Sequence, residues 1–256
     1  MVSCAGPALV RSSAASDPAR RVVRGELELT AMMTARRDDY TAPVEDYLKA
    51  IYELERSGGS AATTEIAQRL AIAPASVSGM IRRLAEQGLL EHERYRGVRL
   101  TDEGRRVALR MIRRHRIIEA YLTQRLGYAW DLVHDEAERL EHAASDELVD
   151  RMAAALGEPE VDPHGDPIPT REGVIDERVH RTLDQLAPGE RGRVVSVSDR
   201  DGARLRYLGE LGLKPGEDVE VVERAPFDGP IAVRVAGELC QVGRGLAAIV
   251  RVEAAS

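Results

Sequence analysis

"TTEIAQRLAIAPASVSGMIRRLAEQGLLEHERYRGVRLTDEG", residues 63–104, changes its hydrophobic period more than once over a short span. Thr63 and Thr64 with Glu65 close behind form the pattern of a helix start. After a short break, Pro74 suits the first turn of a second amphipathic helix, which ends near Gly88. From Leu89 the sequence alternates, turns at Gly97 and gives way to another helix start at Thr101. Two short helices joined by a tight turn and followed by a β-wing predict a winged helix-turn-helix.

Upstream, "VEDYLKAIYELE" (44–55) places Val44, Tyr47, Leu48, Ile51, Tyr52 and Leu54 at helical spacing behind Pro43, which predicts a first helix and a DNA-binding domain over 39–101. Residues 1–38, rich in Ala, Ser and Arg and without a sustained period, read as a disordered extension. Downstream, 102–157 reads as helical with breaks near Gly127 and Ser145, the pattern of a bundle that pairs with a second copy. The Pro- and Gly-dense 158–186 reads as a linker. Over 187–256, short strands alternate with "KPGE" and "FDGP" turns, which predicts a small β-barrel. The expected fold class is α+β: a winged helix-turn-helix, an all-helical dimerisation domain and a small C-terminal β-barrel.

The 256 residues carry 43% hydrophobic side chains, enough for several small cores, and no apolar run approaches the roughly 18 residues of a membrane span. A cytoplasmic protein without a membrane partner is expected. Cys4 and Cys240 are too far apart in sequence to suggest a metal motif. The net charge of −7 is unevenly spread: from Ile66 to Arg116, twelve arginines face five acidic residues. A basic block within an acidic protein supplies phosphate-binding charge for DNA while the remaining surface resists indiscriminate association.

"HDEAERLEH" (134–142) spaces His134, Glu138, Glu141 and His142 at i, i+4, i+7 and i+8, within an arc of about 100° on a regular helix. A solvated charged face is the plain alternative. "HRIIE" repeats the pairing with His115 and Glu119 at i, i+4, and Asp46 offers a carboxylate from the first helix. Oxygen and imidazole donors without thiolate suit Mn²⁺, or less exclusively Fe²⁺.

Together, "VEDYLKAIYEL", "APASVSGMIRRLAEQGLL", "YRGVRLTDEG", "RRHRIIEAYL", "HDEAERLEHAAS" and "DPHGDPIP" resemble the diphtheria-toxin-repressor family of metal-dependent transcriptional regulators, in particular its manganese-sensing branch. The C-terminal "LRYLGELGLKPGEDVEVVERAPFDGPIAVRV" resembles the SH3-like domain that three-domain members share with ferrous-transport accessory proteins. The resemblance implies a homodimer that binds double-stranded operator DNA and represses metal-uptake genes. It implies a primary metal site of Asp46, Glu138, Glu141 and His142, and an ancillary site of His115, Glu119 and His134 that Asp201 can complete. Glu138 and Asp46 stand where iron-responsive members have sulfur ligands, which favours Mn²⁺. Lys49 stands where small two-domain manganese sensors have a glutamate.

On the recognition helix, Ala75, Ser76, Ser78 and Gly79 are small and permit close backbone approach to DNA. Arg82 and Arg83, with Arg94, Arg96 and Arg99 around the wing, are expected to reach phosphates. Metal hydrolases also use such clusters, but the chain lacks HExxH, a nucleophile elbow and a phosphate-cradling loop, so no enzyme is expected. A winged-helix regulator sensing an organic ligand would bind its operator regardless of metal.

Overall fold

The computed structural model describes residue 1 and residues 40–56, 58, 61–93, 97–198 and 200–254. The extension expected at 1–38 therefore lies, from residue 2 onward, outside the described residues, as do Arg94 and Arg96.

Helix α1 (Ala42–Arg56) buries Val44, Tyr47, Leu48, Ile51 and Tyr52, the stripe that the sequence spacing lays along one face. Helix α2 (Thr63–Arg69) starts with Glu65 reaching back to accept from the Ala62 amide at 3.3 Å. Helix α3 (Pro74–Glu86) has its proline in the first turn and buries Val77, Ile81 and Leu84. Strands β1 (Leu90–Glu93) and β2 (Gly97–Leu100) then pair antiparallel, with Leu90 opposite Leu100. Val98 bridges to Ala61, and Glu55 of α1 accepts from the Leu100 amide at 2.8 Å, so the wing is fastened to the head.

Helix α4 (Asp102–Leu126) leaves directly from the wing. The Thr101 hydroxyl accepts from the Gly104 amide at 3.1 Å, a cap worth about 1 kcal/mol. Helix α5 (Val133–Leu140) follows the first break, and α6 (Asp146–Leu156), capped by Ser145, follows the second. Ile117, Ile118, Leu122, Val133, Ala137, Val149 and Ala153 form the bundle core. Each fully buried aliphatic side chain there contributes roughly 1.5–3 kcal/mol. Helix α5 ends one residue before Glu141, so Glu141 and His142 lie on the turn beyond it; Glu141 keeps helical dihedrals, and so it continues the helix face that carries Glu138.

The C-terminal part holds six antiparallel strands. They are β3 (Arg181–Thr182), β4 (Arg191–Val197), β5 (Asp218–Arg224), β6 (Ile231–Val235), β7 (Glu238–Val242) and β8 (Val250–Ala254), in the order β3-β8-β4-β5-β6-β7. Register shifts at Val194/Ser196 and Val221/Glu223 are bulges that bend the sheet around Val194, Val219, Val221, Val233 and Val252. Helix α7 (Gly202–Glu210) adds Leu205 and Leu208 to this core, and the short α8 (Arg244–Ala247) adds Ala247. Trp130, from the break between α4 and α5, packs against it, with Gly209 so close beneath the indole that a Cβ would stand 3.0 Å away.

The segment expected to be a plain linker is partly built into the structure. Asp162, His164 and Ile168 are buried, and the Val197 amide of β4 donates to the His164 carbonyl at 2.9 Å. Gly165 has φ 86°, and a Cβ there would stand 2.0 Å from the Val195 carbonyl oxygen. Only glycine meets both demands. All these elements belong to the compact unit Ala42–Ser256. Gly165→Ala is expected to lower unfolding stability by about 2–4 kcal/mol, read from the midpoint shift in urea, while Gly189→Ala, which has open space but also positive φ, costs only about 1 kcal/mol.

Candidate metal centre

Four elements converge on a line of carboxylates and imidazoles. Asp46 comes from α1, His115 and Glu119 from α4, His134 and Glu138 from α5, and Glu141 and His142 from the following turn. His115 and Glu119 face the same way because they are one helical turn apart. Glu119 and Glu141 are fully buried, and charged side chains so placed need cationic partners.

At one end, His142 spans two acids of α1: Nδ1 stands 2.9 Å from Glu45 Oε2, and Nε2 stands 2.9 Å from Asp46 Oδ1. With both acids ionised, both contacts are hydrogen bonds only when both ring nitrogens carry protons. Burial opposes that charge, but the Glu45 contact and the Asp46 and Glu141 carboxylates raise the His142 pKa. Burial likewise raises Asp46, with His142 opposing and Glu141 adding to the rise. Glu45 was not foreseen from sequence; its place next to Asp46 on a helix start was the only available signal.

In the middle, His115 Nδ1 lies 2.6 Å from Glu141 Oε2, and the Lys49 ammonium lies 2.7 Å from Glu138 Oε1 and 3.0 Å from Glu141 Oε2. Burial acts to lower the Lys49 pKa, yet the two carboxylates outweigh it and the pKa is raised. Burial acts to raise Glu141, but the His115 hydrogen bond and the Lys49 charge bring it below the usual carboxylate range.

At the other end, His115 Nε2, His134 Nδ1 and Glu119 Oε1 form a triangle with edges of 3.0, 3.1 and 3.2 Å. Protons cannot satisfy all three edges: two N–H groups donating to the carboxylate would face each other. Neighbouring donors on an octahedral ion with bonds of about 2.1 Å stand about 3 Å apart. The donor set fits a hard divalent ion. Burial acts to raise the Glu119 pKa, but the His115 charge and the contacts of His115, His134 and His164 hold it well below the usual range.

The other oxygen of Glu119 opens a fourth grouping that sequence reading did not assign. Glu119 Oε2 faces His164 Nδ1 at 3.6 Å, and Asp162 completes a wholly buried trio able to hold a metal. His164 Nε2 donates to the Trp130 carbonyl at 2.7 Å, which turns Nδ1 toward Glu119. Asp162 Oδ1 accepts from the His164 and Asp166 amides at 2.8 and 3.0 Å. Burial pushes the Asp162 carboxyl up to about 7, with Arg116 opposing and Glu119 and Asp166 reinforcing. "DPHGDPIP" contained both residues, but only the folded turn reveals that it reaches α4.

Asp201 does not join any of these groupings among the described residues. Its carboxylate caps α7, accepting from the Ala203 and Arg204 amides at 3.0 and 3.1 Å, and pairs with the Arg204 side chain. A four-residue sequence window around it reads equally as a ligand or as a helix cap, and the cap prevails.

Most of the residues expected to face DNA gather on α3: Ala75, Ser76, Ser78, Gly79, Arg82 and Arg83 are exposed, opposite buried Val77, Ile81 and Leu84. A Cβ on Gly79 would meet nothing within 4 Å, so the surface there is open. Arg99 is exposed on β2. No helix among the described residues is long and apolar enough to cross a membrane.

A winged head, a helical bundle lined with metal donors and a small sheet domain define a metal-responsive DNA-binding regulator. Sequence profiles agree segment by segment: the iron-dependent repressor N-terminal DNA-binding domain matches 39–98, its metal-binding and dimerisation domain matches 101–170, and the FeoA domain matches 181–254. The diphtheria toxin repressor of Corynebacterium diphtheriae is 31% identical over 84% of this chain and 98% of its own length. The iron-dependent repressor IdeR of Mycobacterium tuberculosis is 38% identical over 49% of this chain and 54% of its own. Among solved structures, a manganese-dependent transcriptional repressor in complex with manganese has a TM-score of 0.79 and 41% identity, covering 83% of this chain and all of that one. The manganese regulator SloR has a TM-score of 0.72 and 32% identity, covering 84% and all. The chain belongs to the diphtheria toxin repressor family of metal-dependent DNA-binding repressors, in its three-domain form with a FeoA domain. These are transcriptional repressors rather than enzymes.

A metal ion held by these donors would displace protons. In the metal-free protein the His142 bridges stabilise fully below the ordinary histidine value of 6.5 and are lost as pH rises through the raised pKa. His115 is raised too, with burial and Lys49 opposing and Glu119 outweighing them. Divalent metal binding is therefore expected to release protons near neutral pH and to weaken at lower pH. Calorimetry in two buffers of different ionisation enthalpy measures this; zero proton release would contradict it.

Proposed function

We propose that the chain is a homodimeric repressor of metal-uptake genes, activated by Mn²⁺ bound between the DNA-reading head and the bundle. The observation that carries this reading is the approach of Asp46 on α1 to His142 on the turn after α5, at 2.9 Å. Asp46, Glu138, Glu141 and His142 would hold the primary ion. Glu119, with His115 and His134 on one side and Asp162 and His164 on the other, offers a second position. Asp201 is not in the proposed ligand set.

The bound ion supplies a divalent charge that carboxylates of both parts share. The residues themselves do the rest: Asp46 fixes α1, Glu141 and His142 fix the bundle, and the angle of α3 follows. In a dimer that angle sets the spacing of two recognition helices, which must be about 34 Å or a multiple to enter successive major grooves. The metal-competent arrangement is then the DNA-competent one, and each ligand tightens the other by the same factor. Ala75, Ser76, Ser78 and Gly79 allow close approach to base edges. Arg82, Arg83 and Arg99, with Arg94 and Arg96, anchor phosphates, and sequence preference then draws on DNA shape.

Manganese is favoured because every donor is oxygen or imidazole. The likeness to a manganese-bound repressor supports the same choice. Iron is the second reading, favoured by curated relatives described as iron-dependent repressors. Dimer formation is supported by large apolar side chains left exposed on the bundle: Leu126, Leu132, Leu140 and Leu148.

Operator binding titrated with Mn²⁺, Fe²⁺ and Zn²⁺ tests the assignment. Half-saturation is expected at the lowest free concentration with Mn²⁺ once operator occupancy is normalised to the concentration range each metal reaches in cells. Asp46→Ala is expected to need at least about tenfold more metal; equal titrations would remove α1 from the site. Leu148→Asp is expected to yield monomers in light scattering and to weaken operator binding, and an intact dimer would place the interface elsewhere.

A further inference from the structure

The Lys49 ammonium sits at the middle of the ligand line. It lies 2.7 Å from Glu138 Oε1, 3.1 and 3.0 Å from the two oxygens of Glu141, and 3.3 Å from His115 Nδ1. His115, Glu138 and Glu141 form by themselves a grouping able to hold a metal ion, and the ammonium contacts all three. Lys49 belongs to α1, whereas its partners belong to α4, α5 and the turn beyond. Its side chain is only 12% exposed, and that of Glu141 is 0% exposed. An ion pair so placed exchanges hydration for close contact, and breaking one side leaves a buried charge.

From this position we infer that Lys49 is a resident cation that competes with the regulatory ion for Glu138 and Glu141. When metal is scarce, it ties α1 to α5 and neutralises carboxylates that would otherwise repel one another. When metal is abundant, the same ammonium lowers the site's attraction for a divalent ion, because two of the proposed ligands already serve a positive charge. Lys49 thereby sets the metal concentration at which the protein responds. The inference rests on the proposed ligand set, but its signature is its own. A side chain with a merely structural role would weaken the fold and metal binding together, whereas a competing cation affects them in opposite directions.

The experiment uses the full chain with Lys49→Met, which approximates the lysine stem without its charge, and Lys49→Gln, which is shorter but keeps a polar end. Mn²⁺ affinity is measured by competition with a chromophoric chelator, and hydrogen exchange of α1 and α5 is followed in excess chelator without metal. Both variants are expected to bind Mn²⁺ at least about tenfold more tightly than the wild type. Their metal-free forms are expected to exchange faster along Tyr47–Tyr52 and Val133–Leu140. Unchanged or weaker Mn²⁺ binding in both variants overturns the competition, and unchanged exchange overturns the tether. Should the wild type itself bind no Mn²⁺, the proposed function fails, while the exchange comparison in chelator still decides whether Lys49 holds α1. Lys49→Gln retains hydrogen-bond donors for Glu141, so a folding defect limited to the methionine variant does not mask the result.

Discussion

Two fully buried carboxylates, Glu119 and Glu141, impose the constraint around which the centre of this molecule is arranged. Desolvated negative charge is costly, so each oxygen must meet a cation or a donor. Glu141 meets Lys49 and His115; Glu119 Oε1 meets His115 and His134, while its Oε2 has no hydrogen-bond partner and faces His164 at 3.6 Å. These partners come from α1, α4, α5 and the turn at 162–166. Holding the acids therefore draws these elements together around the donor line, with histidine protons in the metal-free protein contributing.

The same economy explains why the segment after α6 is built in. Asp162 closes its own turn, His164 is oriented by the Trp130 carbonyl, and Arg251 of β8 pairs with Asp166 at 2.8 Å. Trp130 in turn lies against the core of the sheet domain, and Arg206 pairs with Asp131 at 2.9 Å. The FeoA domain is thus connected to the donor line through short, specific contacts, although it contributes no donor to the groupings among the described residues.

Much of this was legible in the sequence because it is local. The winged head follows from period changes and from Pro74, Gly88 and Thr101, whose conformational demands act within a turn of themselves. The spacing of His115 with Glu119, and of His134 with Glu138, likewise needs only helical geometry. What the sequence could not supply depends on distant contacts. Asp162 and His164 acquire meaning only when their turn folds back onto α4, and Asp201 as a helix cap and Asp201 as a ligand are indistinguishable by composition. Leu140 and Leu148, which helical counting places on the apolar side with Val133 and Ala137, are 38% and 45% exposed, because that side is not covered along its whole width within the chain.

Helix α4 runs unbroken for 25 residues from the foot of the wing, and His115 sits about 20 Å along it from Thr101. It is a stiff arm that carries His115 and Glu119 and meets the wing at its N-terminal end. A rotation of only about 3° around the donor end displaces the wing by about 1 Å, a shift comparable with the tolerance of a hydrogen bond. A tilt too small to register as a change of fold at the donors is in this way enlarged at the wing.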